Sequence, residues 1–343
     1  MKNAKPLDIE TFLAQAVTTP VFDVRTAAEH KQGRIPGAFS LPIFDEAERA
    51  AIGTAYKTQS REDAVLLGFD FFGKKMRSLT EFALSVAPQN ALVHCWRGGM
   101  RSEAMAWMLN FYGIKTYILE GGYKAFRRYT IASFDIPHRI VIVGGYTGTG
   151  KTAILTALRD LGEQVIDLEA VARHKGSAFG AIGMLPQQSN EQFENELGLL
   201  WRKLDSSRRV WLEDESQKIG GAFIPQPIYD AIRSAPALQV DAPIELRIAG
   251  LIAEYGNAPA EQIAAGIRKI ERRLGGYHTK LALDAIAGGD LASCFRYILH
   301  YYDRAYDYGL ASRNSEITRK IAASDDIQAN ARVLLQYADS FGW

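Results

Sequence analysis

The chain has 343 residues, of which 47% are hydrophobic and 23% charged, with 12 prolines and a formal net charge of +1. That length carries two domains of ordinary size, each with its own core, and the composition excludes a disordered or low-complexity chain. A near-neutral balance supplies no global field for nucleic acid, so an RNA or DNA partner must meet a local basic patch. The opening Met1 to Pro6 has no apolar core long enough for a signal peptide, and no run of about 18 apolar residues exists to span a membrane. Two cysteines, Cys95 and Cys294, exclude a disulfide framework and a four-cysteine zinc site. These features predict a cytoplasmic protein of a reducing compartment.

In chain order, the first part alternates short apolar strands with helical spacing, the pattern of an α/β domain around a mostly parallel sheet. Val21 to Val24 reads as a strand, and Ala91 to His94 as another that runs directly into Cys95. Ser102 to Phe111 has helical periodicity, with Ala104, Met105, Met108 and Leu109 as its buried face. Lys115 to Leu119 is then a strand, closed by Gly121 and Gly122. Residues 127–137 end at Pro137 and predict a first domain over 1–130 and a second over 137–343. The second opens with the buried-strand run Arg139 to Val143, a glycine-rich loop and a helix from Ala153 to Leu161. Gln164 to Asp167 and Val210 to Asp214 read as further strands of that sheet. From residue 243 onward the pattern is largely helical, with Gly275-Gly276 and Gly288-Gly289 as breaks.

His94-Cys95-Trp96-Arg97-Gly98-Gly99-Met100-Arg101-Ser102 sets a cysteine at a strand end, in a glycine-containing loop that leads into a helix. Such a loop turns backbone N–H groups inward and adds the partial positive charge of a helix N-terminus. Both favour thiolate over thiol, which makes Cys95 a candidate nucleophile. Arg101 and Arg97 are candidate holders of an oxyanion through paired hydrogen bonds. Cys294, within Asp290 to Arg296, reads as a structural cysteine on a helix.

Asp23-Val24-Arg25, Glu29 and Gly33-Arg34-Ile35-Pro36-Gly37-Ala38 resemble the opening of rhodanese-like domains, and Cys95 falls where that family has its sulfur-accepting cysteine. The resemblance covers roughly residues 5–127 and implies a cysteine that takes a chalcogen atom as a persulfide and passes it on. Rhodanese sulfurtransferases commonly have a shorter loop than the seven residues from Cys95 to Arg101. The longer span also matches the signature of cysteine-dependent phosphatases and suits a larger tetrahedral anion. The loop alone leaves phosphatase and chalcogen transferase open.

Gly145-Tyr146-Thr147-Gly148-Thr149-Gly150-Lys151-Thr152 follows a strand and precedes a helix, the context that a P-loop requires. Gly145, Gly148 and Gly150 would let backbone N–H groups wrap a diphosphate, Lys151 would neutralise it, and Thr152 would hold Mg2+. Asp214, ending an apolar strand, is the candidate second holder of the metal. Asp167 reads either as another or as the cap of the next helix. No nucleoside-reading signature or arginine finger can be assigned, and a diphosphate ester other than a nucleotide would use the same cradle. Lys124, Arg127 and Arg128, and then Arg268-Lys269 and Arg272-Arg273 with Tyr277, His278 and Lys280, interleave basic and aromatic residues. That is the local footprint expected for RNA, and equally of an ordinary solvated helix face. Tyr301, Tyr302 and Tyr306 read as core.

A rhodanese-like α/β domain with a central parallel sheet, followed by a P-loop NTPase-like α/β domain with a helical C-terminal part, resembles the bacterial tRNA 2-selenouridine synthase family. Asp167-Leu168-Glu169, His174-Lys175-Gly176-Ser177, Glu213-Asp214-Glu215-Ser216 and Ile219-Gly220 extend the likeness across the chain. The resemblance implies exchange of sulfur for selenium at carbon 2 of the wobble uridine in tRNAs for lysine, glutamate and glutamine. Selenophosphate is then the donor, and S-geranyl-2-thiouridine, made from geranyl diphosphate, the intermediate. On that reading Cys95 attacks the selenium of selenophosphate, and Arg97 and Arg101 hold the departing phosphate. Gly145, Gly148, Gly150, Lys151 and Thr152 bind the prenyl diphosphate, with Mg2+ between Thr152 and Asp214. The alternatives are a rhodanese-fold cysteine phosphatase fused to a nucleotide-hydrolysing regulatory domain, and a kinase or tRNA-binding adaptor.

Overall fold

The computed structural model describes residues 4–311 and 318–343. The chain forms two compact units, one of residues up to 133 together with 194–199, the other of 134–193 and 200–343. No helix among the described residues is long and apolar enough to cross a membrane.

The first unit runs β1 (Lys5–Leu7), α1 (Ile9–Gln15), β2 (Val21–Asp23), α2 (Ala27–Gln32), β3 (Phe39–Ser40), α3 (Glu46–Thr58), α4 (Arg61–Val86), β4 (Asn90–His94), α5 (Met100–Tyr112), β5 (Lys115–Leu119) and α6 (Gly122–Ser133). Its strands make one sheet in the order β1-β5-β4-β2-β3, all neighbours parallel. A parallel sheet buries both faces, so its central strand carries an unbroken apolar run, here Ala91-Leu92-Val93. Phe22 and Val93 pack with Met105 and Leu109 of α5 and Phe72 and Leu79 of α4, while Leu92 and Leu119 pack with Phe12, Tyr123 and Phe126. This order delivers Cys95 to the carboxyl end of the central strand, where open α/β sheets place their ligands.

Just after β2, the buried Arg25 donates from Nε to Asp23 at 2.9 Å, from Nη2 to Asp23 at 2.6 Å, and from Nη2 to the Gly33 carbonyl at 2.5 Å. Its guanidinium lies 3.7 Å from the Tyr123 ring centre. Burial opposes ionisation of Asp23, but His94 and Arg25 outweigh it and hold the carboxyl below the usual range. The stability this pair contributes is present above the ordinary aspartate pKa and is lost as pH falls through the lowered folded value.

The second unit contains β6 (Arg139–Gly145), α7 (Lys151–Asp160), β7 (Gln164–Val165), α8 (Leu168–Ala172), α9 (Asn190–Arg202, with 194–199 in the first unit), β8 (Arg209–Glu213), β9 (Lys218–Ile219), β10 (Ala222–Phe223) and α10 (Gln226–Ser234). It continues through β11 (Ala237–Asp241), α11 (Ile244–Tyr255), α12 (Ala260–Leu274), α13 (Gly276–Ala287), α14 (Leu291–Ala311), β12 (Thr318–Ala322) and α15 (Ile327–Ser340). The parallel sheet order is β12-β11-β6-β8-β7, with β6 central and leading into the phosphate loop. The helical C-terminal part is interrupted by β12, which pairs residue for residue with β11. Helices α11 to α14 bury Ile248, Leu251, Ile263, Ile267, Phe295 and Leu299 around Cys294. Burial, with Asp290 adding to it, pushes the Cys294 thiol up to about 12, so it stays protonated and inert.

Candidate active sites

In the first unit, the loop after β4 turns at Gly98 and Gly99 and enters α5 at Met100. Cys95 is 3% exposed. Its Sγ lies 3.2 Å from Ser102 Oγ and 3.8 Å from the Gly99 carbonyl, and Ser102 Oγ is also 2.9 Å from that carbonyl. Burial raises the thiol pKa, but Ser102 Oγ and the N–H groups of Arg97, Ser102 and Gly99 outweigh it, and the net shift is downward. The Ser102 hydroxyl has one proton, so it serves the thiolate only by releasing the Gly99 carbonyl. The loop's carbonyls are tied elsewhere: Tyr123 N–H donates to Cys95 O at 2.8 Å, and Lys124 N–H to Trp96 O at 3.0 Å. Gly122 permits this approach, since at φ +59° a Cβ there would stand 2.5 Å from Cys95 O.

Of the two predicted oxyanion holders, Arg97 is exposed, whereas Arg101 Nη1 donates to Glu29 Oε2 at 3.0 Å. Glu29 also accepts from Thr26 N–H at 2.9 Å, which fixes where the Arg101 guanidinium is held. Ser102, within the quoted motif but given no role in the sequence reading, is the closest polar partner of the sulfur. Its replacement has a defined consequence. In Ser102→Ala, the pH profile of Cys95 alkylation by iodoacetamide is expected to move to higher pH, with Cys294 silent in both proteins. An unmoved profile would show that the backbone N–H groups alone depress the pKa.

In the second unit, β6 ends at Gly145, the loop crosses Tyr146 to Gly150, and α7 begins at Lys151. At Gly148, φ +84°, a Cβ would stand 2.7 Å from the Arg247 carbonyl, so the loop folds directly against α11. Arg247 donates from Nε to Thr147 O at 2.9 Å and from Nη1 to Asp303 at 3.0 Å. Gly145 N–H donates to Tyr306 Oη at 2.6 Å, and Tyr146 Oη donates to Asp307 at 2.6 Å. Tyr306, expected in the core, is therefore a phosphate-loop contact from α14. Tyr302 does pack against the helical core.

Lys151 Nζ lies 3.4 Å from Glu213 Oε1, and Thr152 Oγ1 lies 3.4 Å from Glu213 Oε2. The strand-end acid that meets the loop is thus Glu213. Asp214, the acid chosen from sequence, stands 3.8 Å from Arg233. Asp167 caps α8 by accepting from Ala170 N–H at 2.8 Å, the second of its two sequence readings. Oxygens of Glu169, Glu213 and Glu215 lie within 4.8 Å of one another. Burial first, and Glu213 next, pushes Glu169 up to about 8, and Glu215 is raised for the same reasons. Three neighbouring carboxylates, Glu213 buried and Glu169 and Glu215 half-buried, all reluctant to ionise, fit a divalent cation, whose charge would offset theirs and release the protons. Thr152 stands beside this group through Glu213.

The basic runs are partly committed within their own units. Arg127 donates to Asn195 at 2.7 Å and Glu194 at 2.6 Å, Arg268 pairs with Glu261 at 2.7 Å, and Arg273 donates to Tyr301 at 3.3 Å. Lys175 pairs with Glu254 at 2.7 Å, while His174 is kept neutral by burial and the nearby Lys269.

Residues 138–336 match the tRNA 2-selenouridine synthase AAA domain, and residues 9–129 match the rhodanese-like domain. A tRNA 2-selenouridine synthase of Bdellovibrio bacteriovorus is 37% identical over 265 residues, 74% of this chain and 69% of that protein. One from Nitrosomonas europaea is 36% identical over 246 residues, 69% of this chain and 63% of that protein. The match therefore spans close to two thirds of these relatives' length. The N-terminal domain of a putative ATP/GTP binding protein from Clostridium difficile 630 is 34% identical, covers 37% of this chain and 99% of that one, and has a TM-score of 0.35. The chain belongs to the tRNA 2-selenouridine synthase family.

Proposed function

We propose that the chain is a cytoplasmic tRNA-modifying transferase that converts 2-thiouridine to 2-selenouridine at the wobble position of tRNAs for lysine, glutamate and glutamine. The carrying observation is the pairing, in one chain of this family, of a thiolate-favouring Cys95 cradle with a P-loop whose Lys151 and Thr152 meet the buried Glu213. In the first step the thiouridine sulfur attacks carbon 1 of geranyl diphosphate and diphosphate leaves. Lys151 and the loop N–H groups at Gly145, Gly148 and Gly150 take up the departing charge; Thr152 and Glu213 would hold a Mg2+, which would supply further charge neutralisation. Gly145 N–H is released for this when Tyr306 gives way. In the second step the cradle seats the phosphate of selenophosphate through Arg97 and Arg101, and the Cys95 thiolate takes the phosphoryl group. Selenium leaves as selenide to attack carbon 2, after which water hydrolyses the phosphocysteine. The net exchange balances: carbon 2 gains selenium, the C2–S bond breaks, sulfur leaves in geranyl thiol, and water supplies the oxygen of the phosphate released.

The test is mass spectrometry of nucleosides from thiolated tRNA incubated with the protein, geranyl diphosphate and selenophosphate. Selenouridine is expected with both co-substrates, and S-geranyl-2-thiouridine when selenophosphate is withheld. Absence of both, with turnover of an aryl phosphate that Cys95→Ser removes, would replace this reading with the phosphatase alternative.

A further inference from the structure

The first unit holds a cavity of about 660 Å³ beside the Cys95 loop. Its floor is Phe44, Ile52 and Phe72, its mouth Tyr56, Phe69 and Trp107, and it lies between α3, α4 and the first two turns of α5. The mouth residues are 59%, 62% and 48% exposed. Large apolar side chains left open together around a pocket of this size mark a binding site for an apolar group. The remaining lining is charged in one sense: Arg49, Lys57, Arg61 and Arg101 stand against Glu103 alone. Arg49, Lys57 and Arg61 are exposed and form no ion pair among the described residues. The pocket therefore suits a ligand with an apolar chain and an anionic body. Its one tie to the chemistry is Arg101, which closes the Cys95 loop and also lines the cavity.

We infer that this cavity seats the prenyl chain carried on the sulfur of the modified RNA base during the selenium step, with the cationic rim meeting the RNA phosphates. The inference rests on the two-step reading above. A chain anchored between α4 and α5 places its thioether toward Arg101, the lining residue that belongs to the Cys95 loop. The pocket is a positioning device that holds the leaving group and supplies no chemistry. It also explains selectivity between the steps, because an unalkylated thiouridine has nothing to bury there.

The test uses the full chain and two fluorescein-labelled anticodon-stem oligonucleotides, one with 2-thiouridine and one with S-geranyl-2-thiouridine, with affinities read by anisotropy. Ala104→Trp fills the cavity, and Phe69→Ser removes an exposed part of its wall without touching the core. The wild-type chain is expected to prefer the geranylated oligonucleotide, since each methylene withdrawn from water contributes on the order of fourfold in affinity. Both variants are expected to lose that preference by about tenfold while binding the unalkylated oligonucleotide as before. A preserved preference in a folded Phe69→Ser chain would overturn the assignment. So would variants that lose binding of free geranyl diphosphate alone, for the cavity would then belong to the donor. Turnover is read separately, so a chain that prefers the geranylated oligonucleotide but makes no selenouridine overturns the two-step reading and not the pocket.

Discussion

Cys95→Ala is expected to abolish selenium incorporation, by at least about a thousandfold, while S-geranylation of thiolated tRNA continues near the wild-type rate. The split follows from where the chemistry sits. Cys95 is held by the β4 strand end, Ser102 and N–H groups of its own loop, and the prenyl diphosphate is assigned to a cradle built on β6 and α7. The measurement is the ratio of S-geranyl-2-thiouridine to 2-selenouridine, which should run entirely to the former. In the wild-type chain the selenium step should rise with pH through the lowered thiol pKa and level off above it, while the geranyl step lacks that inflection. Loss of both steps in a folded Cys95→Ala chain would show that the cysteine is not confined to chalcogen transfer.

Lys151→Ala is the complementary experiment. Removing one preorganised charge from a developing leaving group typically lowers the rate about 10²–10³-fold, and that is the loss expected in geranyl transfer. A second effect accompanies it. Lys151 is the cation that lowers the Glu213 pKa against burial, so its removal should drive that carboxyl further towards the neutral acid. Selenation of tRNA already geranylated should survive. Undiminished geranyl transfer sinks the diphosphate assignment, and loss of ATP hydrolysis in its place would turn the P-loop into a nucleotide site.

Both loops were readable as anion cradles because each joins an apolar strand to a glycine-containing turn with a reactive or cationic side chain and a following helix. Val21 to Val24, Ala91 to His94 and Arg139 to Val143 became β2, β4 and β6 with shifts of only a residue or two at the ends. The choice between Glu213 and Asp214 was not readable. Three acids in a row stand where β8 ends, and only the strand's end at Glu213, which pairs with Val143 of β6, sets which one meets Lys151. Tyr306 and Arg247 reach the phosphate loop from 161 and 100 residues away, a distance at which local pattern carries no signal. β12 was lost within a helical reading because Thr318-Arg319-Lys320-Ile321-Ala322 is an edge strand with little apolar alternation.

The first unit is not a continuous stretch of polypeptide. Residues 194–199 belong to it, and Asn195 donates to Tyr123 Oη at 2.8 Å and to the Arg34 carbonyl at 3.1 Å while accepting from Arg127. Tyr123 is the ring on which Arg25 lies and the residue whose N–H ties down the Cys95 carbonyl. A gene cut after Ser133 would encode the rhodanese-like fold without the plug that steadies its reactive thiol. The first unit expressed to Ser133 alone is therefore expected to lose Asn195's hold on Tyr123, and with it part of the support of the Cys95 loop.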